Sequence, residues 1–574
     1  MIEEGEEPLL ELGRSRTNDE DDDDDNNDAN KGGFKTLPFI IGAEGLEKMA
    51  TYGLTPNMTI YLMGQYHMGI TTASNVFYLW SSATNFMQII WAIIADSFFG
   101  QFYTIGFGTI ICFLGSILMW STTIIPNAKP PPCDEYSSTN GCSPTFSQFV
   151  FLCSSLGLIS IGAGGVRSSC LAFGANQLRK NGKFNKTSRV KDSYFSWYYV
   201  FYTFSVLIAL TCVVYIQDNL GWRVGFAVPA LLLLFAVFLF FSASLWYIKP
   251  ESKTSLVTDL VMVVVASCRN WHLKLSDGRD VVYHHKNGSS NIRPSGKLRF
   301  LNKACMVKDP QSHTRANGLA TNSWNLCTLE QVEELKSLLR VIPMWCSGMI
   351  MNVNVSQVSF QVLQAASMNR KISSFEFPAA SFSTLSVLSV IIWVILYDRV
   401  FLPLASRVRG RRVRISPKTR MGVGIFLSFT SMLVTAAVES IRRTVVAANM
   451  SALWLLPQYC LTGFAEGSNV VAQNEFYFSE LPRSMWSIAA TLNGIGMALA
   501  NLVASFILNS VDVISKEAGH QSWISDDIDK GRYDYYYLVL AGLSMANMLY
   551  FLVCSNAYGP LKGETNLAEE ENES

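Results

Sequence analysis

The sequence predicts an all-α membrane protein with about twelve transmembrane helices arranged as two bundles of six. Three observations predict it. Hydrophobic residues make up 49% of the 574 residues and charged residues only 16%, too few charges to clothe a water-soluble chain of this length. Apolar windows of ~20 residues, long enough to cross a bilayer as a helix, recur along the chain. One long polar stretch, Lys249 to Glu334, is too hydrophilic to cross and separates six windows from six.

Residues 1–36 come first and are polar, with an unbroken acidic run at Asp19, Glu20 and Asp21 through Asp25. Such composition reads as a disordered acidic tail. It lacks a basic n-region followed by a short apolar core, so it does not read as a secretory signal peptide, and the first membrane helix directs insertion. The helices are expected near 37–63, 73–97, 102–125, 147–170, 193–216 and 222–247, then near 335–358, 378–400, 419–440, 453–477, 485–510 and 533–556. Residues 37–248 then form an N-terminal bundle, 249–334 a central loop, 335–556 a C-terminal bundle and 557–574 a second tail.

Lysine and arginine concentrate in alternate connections, which sets the expected orientation. One connection holds Arg179, Lys180, Lys183, Lys186, Arg189 and Lys191; another holds Arg407, Arg409, Arg411, Arg412, Arg414, Lys418 and Arg420. The central loop adds Arg293, Lys297, Arg299 and Lys303. Between Ile125 and Gln148 there is only Lys129. Both tails and the central loop are therefore expected in the cytosol. Cys133 and Cys142 share the Lys129 connection and could pair if it faces an oxidising side.

The first helix breaks the apolar rule. Gly42-Ala43-Glu44-Gly45-Leu46-Glu47-Lys48-Met49-Ala50-Thr51-Tyr52-Gly53 carries Glu44, Glu47 and Lys48 at i, i+3 and i+4, on one helix face. A charge at the bilayer centre costs at least ~2.5–3.5 kcal/mol on insertion scales, so the cluster must face a bundle interior or a wet cavity with its charges paired. Two readings fit: a proton relay with its counter-cation, or a structural Glu–Lys pair joining helices. Arg167 follows the glycine run Gly162 to Gly165, where small residues let helices approach closely. It needs an anionic partner, and Glu44 and Glu47 are the candidates. Glu466 has no local cation and is either a proton-carrying carboxyl or one hydrogen-bonded between helices. Asn469, Gln473 and Asn474 share its helix and either line a polar cavity or bond to neighbours. Asp96 and Asp398 end predicted helices on the cytosolic side, where they can cap the next segment or pair with cations such as Arg399, as gate or hinge residues.

Composition excludes other classes. Lys+Arg and Asp+Glu both number 45, and this zero balance carries no argument for nucleic acid. The twelve cysteines and six histidines show no metal-ligand spacing, no nucleotide loop or nucleophile–base signature is visible, and no cofactor is called for. An enzyme is not expected.

Short motifs add a resemblance. Beside Glu44-x-x-Glu47-Lys48 stand Ala95-Asp96-Ser97-Phe98-Phe99-Gly100, Gly162-Ala163-Gly164-Gly165-Val166-Arg167 and Phe173-Gly174-Ala175-Asn176-Gln177. Further on come Phe195-Ser196-Trp197-Tyr198-Tyr199, Arg299-Phe300-Leu301-Asn302-Lys303-Ala304, Leu396-Tyr397-Asp398-Arg399-Val400 and Pro457-Gln458-Tyr459. In this order, on a frame of six, loop and six, the chain resembles the plant nitrate and peptide transporter family, in particular its first subfamily. That family lies within the proton-coupled oligopeptide transporters of the major facilitator superfamily.

The resemblance implies two six-helix bundles around a midplane solute site open to each side in turn. It implies proton coupling through Glu44 and Glu47, counter-charge or substrate contact from Lys48, Tyr52 and Arg167, and a substrate-side carboxyl at Glu466. The implied partners are the lipid bilayer, protons and a small solute, and the implied location is the plasma membrane rather than the vacuolar one. Departures from the pattern bear on the solute. Lys48 stands where many relatives have Arg, and Asn176 replaces an Asp. Thr203 and Ser205 stand where many relatives have Asn and Gly. Val355 replaces a nitrate-binding His, and Thr55 an Arg of peptide transporters. The expected activity is proton-coupled symport of a small anion, nitrate being the family default. A hormone, another organic anion or a di- or tripeptide is the alternative, and a non-transporting sensor a further one.

Overall fold

The computed structural model describes residues 32–131, 143–178, 187–249, 256–272, 283–285, 294–307 except 297, and 322–559 except 323, 373, 411–414, 446–449 and 518–521. The acidic run, Cys133, Cys142, the last fifteen residues and much of the central loop lie outside the described residues.

α1 (Leu37–Leu54) and α2 (Met58–Tyr66) make the first crossing. Pro56 stands between them without an N–H for the preceding turn, and the helix stops and restarts there. α3 (Ile70–Ile94) runs through the π-helical segment Ala95–Phe99 into α4 (Gly100–Ile124). Drawn straight, those 55 residues would measure about 80 Å against a hydrocarbon core of ~30 Å. They fold back at Gly100, whose φ of 73° and ψ of 164° suit glycine. A Thr145–Gln148 capping box starts α5 (Phe146–Gln177). α6 (Thr187–Ile208) continues through the π segment Ala209–Val213 into α7 (Val214–Ser242), which turns back at Gly221 (φ 80°, ψ 169°).

The central loop, expected to be merely polar, contains α8 (Leu256–Arg269). The helix forms because Val263 and Ala266 bury against Leu301, Cys305 and Val332. A Thr328–Gln331 capping box then starts α9 (Leu329–Val355), and α10 (Val358–Ala366) completes that crossing. A short hairpin of β1 (Lys371–Ile372) and β2 (Phe375–Glu376), absent from the sequence reading, leads to α11 (Thr384–Leu396). The π segment Tyr397–Phe401 joins it to α12 (Leu402–Arg409). α13 (Pro417–Thr444), α14 (Leu456–Glu480), α15 (Trp486–Glu517) and α16 (Tyr533–Tyr558) follow.

Eight helical stretches among the described residues are long and apolar enough to cross a membrane. Two of them are folded double at Gly100 and Gly221, and the charge-bearing α1–α2 and α14 complete twelve crossings. Their outward faces are apolar and exposed, as at Phe235, Phe238, Phe506 and Val553, which suits lipid contact. In the first half α1 lies on α5, α6 and α7, and α4 lies on α5. In the second, α13 lies on α14 and α16, and α9 on α15 and α16.

The halves meet chiefly along α3 and α15. Hydrogen bonds between them gather toward one end. Thr59 and Ser359 hydroxyls are 2.7 Å apart, the Tyr78 hydroxyl donates to Gln357 Oε1 at 2.9 Å, and Ser82 donates to the Ala498 carbonyl at 2.9 Å. Asn75 Nδ2 donates to Asn509 Oδ1 at 2.7 Å, and Ser505 donates to Asn75 Oδ1 at 2.6 Å. At the rim, Asp526 Oδ1 accepts the first N–H of α3, from Ile70, at 2.6 Å. Asp526 belongs to the loop before α16, which Asp529 ties to buried Arg442 of α13. Arg442 is itself held by Glu439 through bonds of 2.8 and 2.9 Å.

The glycine run of α5 sets where the site forms. A Cβ at Gly162 would fall 2.2 Å from the Cys112 nitrogen of α4, and one at Gly164 would fall 2.6 Å from Met87 Cβ of α3. Only bare backbone permits these contacts. They fix the turn of α5 that carries Arg167 against α1.

Candidate functional site

Three helices bring the ionisable side chains together: α1 supplies Glu44, Glu47, Lys48, Thr51 and Tyr52, α5 supplies Arg167, and α6 supplies Tyr198 and Tyr202. Glu44, Glu47 and Lys48 are all buried, Glu47 completely. Of the two carboxylates open as partners for Arg167, the one engaged is Glu47. Arg167 Nε donates to Glu47 Oε1 at 3.3 Å, and Nη2 lies 3.3 Å from the same oxygen. Nη2 also donates to Thr51 Oγ1 at 2.6 Å, and Thr51 donates to Glu47 Oε1 at 3.1 Å. Lys48 Nζ stands 3.8 Å from Glu47 Oε2, close enough for Coulomb attraction and too far for a hydrogen bond. One carboxylate therefore faces two cations.

Glu44 is held differently. Its Oε1 accepts from the Tyr198 hydroxyl at 2.5 Å. The outer oxygens, Glu44 Oε2 and Glu47 Oε2, are buried without a hydrogen-bond partner among the described residues. Aromatic rings close the network toward the middle of the protein. Lys48 Nζ sits 4.9 Å from the Tyr202 ring centre and Arg167 Cζ 5.2 Å from that of Tyr52, and the two hydroxyls are 3.1 Å apart.

Beside this network a cavity of about 310 Å³ lies between the halves. Arg167, Tyr52, Thr51 and Thr55 reach its wall from the first half, and Glu466, Tyr459, Thr462 and Gln361 from the second. Most of the remaining wall is apolar, with Phe77, Trp80, Val206, Leu210, Val355 and Val387. Glu466 is half-buried and has no hydrogen-bond or ion-pair partner among the described residues. Lys48 is absent from the wall; its Nζ stands over the rings of Tyr202 and of Tyr52, and of these only Tyr52 reaches the cavity. The cavity thus presents one cation and one carboxylate, where two cations were expected. Arg167 belongs to both the cavity wall and the acidic network, so a charge change at Glu47 is felt by a group that a solute can touch.

The remaining expected residues lie elsewhere. Asp96 and Asp398 each occupy the second position of a five-residue π segment, Ala95–Phe99 and Tyr397–Phe401. Both are exposed, as is Arg399, and none of the three forms an ion pair among the described residues. Of the two options open to these carboxylates, pairing with a cation such as Arg399 is not seen among the described residues. π segments are rare single turns within otherwise regular helices. Asn469 and Gln473 are buried away from the cavity wall: a Cβ at Gly424 of α13 would meet Asn469, and one at Gly348 of α9 would meet Gln473. Both pack against neighbouring helices, and Asn474 is half-buried and also off the wall. No group of three or more His, Cys, Asp or Glu placed to hold a metal occurs among the described residues.

Sequence reasoning missed Tyr198 and Tyr202. They lie at i and i+4 in the aromatic run Trp197 to Phe201 and Tyr202, where neighbouring aromatic residues mask the spacing. It also missed Thr51, whose hydroxyl looked like any helical threonine, and the buried Glu439–Arg442 pair, spaced i, i+3 near the end of α13.

Residues 102–524 match the POT family. The chain is 46% identical over 566 residues to Protein NRT1/PTR FAMILY 1.2 of Arabidopsis thaliana, covering 95% of this chain and 93% of that one. It is 48% identical over 546 residues to Protein NRT1/PTR FAMILY 1.1 of the same plant, covering 92% of each. In fold it is similar to an auto-inhibited POT family peptide transporter seen by crystallography, with a TM-score of 0.68, 18% identity, and coverage of 92% of this chain and 98% of that one.

Proposed function

From the premise that this chain belongs to the POT family of membrane transporters, we propose that it is a proton-coupled symporter of a small anion, nitrate being the default. The observation that carries this reading is the double engagement of Arg167, which lines the cavity while holding Glu47. When Glu47 binds a proton, Arg167 loses its anionic partner and is free to pair with an anion entering the cavity. When the anion leaves, Arg167 returns to Glu47 and favours proton release. Solute and proton then move together. Glu44 and the free carboxyl of Glu466 are the other candidate proton carriers. Asp96 and Asp398 act as hinge residues of the two halves. The two tails and the Lys- and Arg-rich central loop face the cytosol, and the end where α3 meets α15 faces outside, in the plasma membrane.

The energetics are consistent. Moving one negative charge into a cell at about −100 mV costs ~2.3 kcal/mol. One proton cancels that charge, and each unit of external acidification adds ~1.4 kcal/mol of drive per proton. A second proton makes uptake electrogenic and inward.

The size and apolar wall of the cavity favour a second reading, an organic anion with an apolar body. A volume of about 310 Å³ exceeds what nitrate fills and lies at the low end of the ~300–1,000 Å³ typical of drug-sized ligands. Uptake into proteoliposomes under an imposed acid-outside gradient tests both readings. Nitrate, amphipathic plant-hormone carboxylates and a neutral dipeptide are offered in turn. Acid-driven accumulation of an anion, lost in Glu47→Gln, is expected. Accumulation of the dipeptide alone, or unchanged pH dependence in Glu47→Gln, overturns the proposal.

A further inference from the structure

α6 carries tyrosines at 194, 198 and 202, one per turn and therefore on one face. Tyr194 and Tyr198 are 3% and 7% exposed, although phenols in a membrane helix prefer its polar ends. Each hydroxyl reaches a different group: Tyr194 the Leu171 carbonyl at 3.3 Å, Tyr198 Glu44 at 2.5 Å, and Tyr202 the Tyr52 hydroxyl at 3.1 Å. The middle rung meets a carboxyl that no ion pair holds among the described residues, since both nearby cations approach Glu47.

We propose that Tyr198 is the positioning residue of the Glu44 proton site, and that its hydroxyl sets the pH at which Glu44 takes up and gives back its proton. This deepens the proton-coupled reading and rests on it for its physiological meaning. A phenol donates one hydrogen bond, and a carboxylate accepts it better than a carboxylic acid does. The contact therefore favours the ionised form of Glu44 and helps the proton leave once delivered. The buried Cys170 thiol of α5 also comes within reach of the Glu44 carboxyl, but a thiol is a weak donor, so the phenol is the strong one.

Other groups around Glu44 are fixed controls. Its own helix presents Glu47 and Lys48, and α5 presents Arg167 and the buried thiol of Cys170. From α6 come Tyr194, Tyr199 and Tyr202 besides Tyr198. α7 contributes apolar Leu239, packed at Gly42. None of these is altered by removing the Tyr198 hydroxyl. The ring contacts survive as well, because Tyr198→Phe keeps the ring 6.0 Å from that of Tyr194 and 5.8 Å from that of Tyr199.

Infrared difference spectra of the full-length protein in lipid, recorded over an acid–base titration, read the site directly. The carboxylic-acid band lost in Glu44→Gln identifies Glu44. In Tyr198→Phe the midpoint of that band is expected to move to more alkaline pH by about one to two units, the equivalent of one charge-assisted hydrogen bond. In Tyr202→Phe, which removes a hydroxyl one turn away, it is expected to stay. An unmoved midpoint in Tyr198→Phe, an equal shift in Tyr202→Phe, or no band sensitive to Glu44→Gln each overturns the proposal. Acid-driven nitrate uptake is measured on the same samples. A shifted band without pH-dependent uptake keeps the Tyr198 assignment and rejects the symport reading instead.

Discussion

Replacing Arg167 by alanine tests the charge network most sharply. The guanidinium lies 3.3 Å from Glu47 Oε1, which at an effective dielectric of 20 corresponds to about 5 kcal/mol of attraction before desolvation. Lys48, at 3.8 Å from the other oxygen, contributes about 4 kcal/mol on the same basis and remains in Arg167→Ala. Breaking a buried pair costs ~3–5 kcal/mol because a charge is left uncompensated, and with Lys48 retained the low end of that range is expected. Glu47→Gln leaves Arg167 at the wet cavity wall and should cost less. The double variant leaves neither charge stranded, so it should be more stable than the sum of the single changes predicts, by at least ~1.5 kcal/mol. Equilibrium unfolding in mixed micelles, followed by tryptophan fluorescence, measures all four corners of the cycle. The deficit of Arg167→Ala should be largest where Glu47 is ionised and shrink once acid protonates it. Strict additivity, or a deficit indifferent to pH, would refute the reasoning.

Asp526→Ala removes the cap on the first N–H of α3 and should weaken the seal by about 1 kcal/mol, a roughly five-fold rise in the population opened at that end. Spin labels at Thr72 and Lys516, both exposed near the seal, report it as a growing long-distance component, and an unchanged distance distribution contradicts the capping role. Orientation is checked with Cys268, exposed on α8, as the sole cysteine: a membrane-impermeant thiol reagent should label it only after cells are permeabilised. Labelling of intact cells would invert the topology.

The crossings were legible in the sequence because a membrane helix must be apolar along its whole length, and their ends follow from where that condition fails. Glu44, Glu47, Lys48, Arg167 and Glu466 stood out for the same reason, as charges where none belong. Their partners were less legible. Spacing along α1 puts Glu44, Glu47 and Lys48 on one face, but which carboxylate meets Arg167 depends on how far the glycine run lets α5 slide toward α1. Lys48 was counted as a cavity cation because a charge inside a bundle is expected to face water; instead it lies off the wall, over the rings of Tyr52 and Tyr202. Tyr198 was hidden among aromatic residues that bilayer contact alone would explain. α8 escaped notice because its apolar run, Leu260 to Ala266, is far too short to cross a bilayer and sits in a polar stretch, and its inner face is covered only by Leu301 and Val332, distant in sequence.

The bonds that close the sealed end have a consequence for how the protein responds to its surroundings. Thr59, Ser359, Tyr78, Gln357, Asn75, Asn509 and Ser505 are all uncharged. Water can replace each partner on opening, so each bond contributes only ~0.5–1.5 kcal/mol net, and the set amounts to a few kcal/mol. That is comparable with the energy in one or two pH units plus an ordinary membrane voltage, so the driving gradient is of the right size to open the seal. Neutral partners are also untouched by ionic screening. The charged contacts at that end include the Asp218–Arg370 pair, 3.6 Å apart, the carboxylate of Asp526 and the Asp529–Arg442 tie of its loop; among the described residues the uncharged bonds named above offer dissolved salt nothing to act on. Opening should therefore proceed much the same in dilute and in saline surroundings, leaving proton concentration and voltage to act through the charges buried beneath.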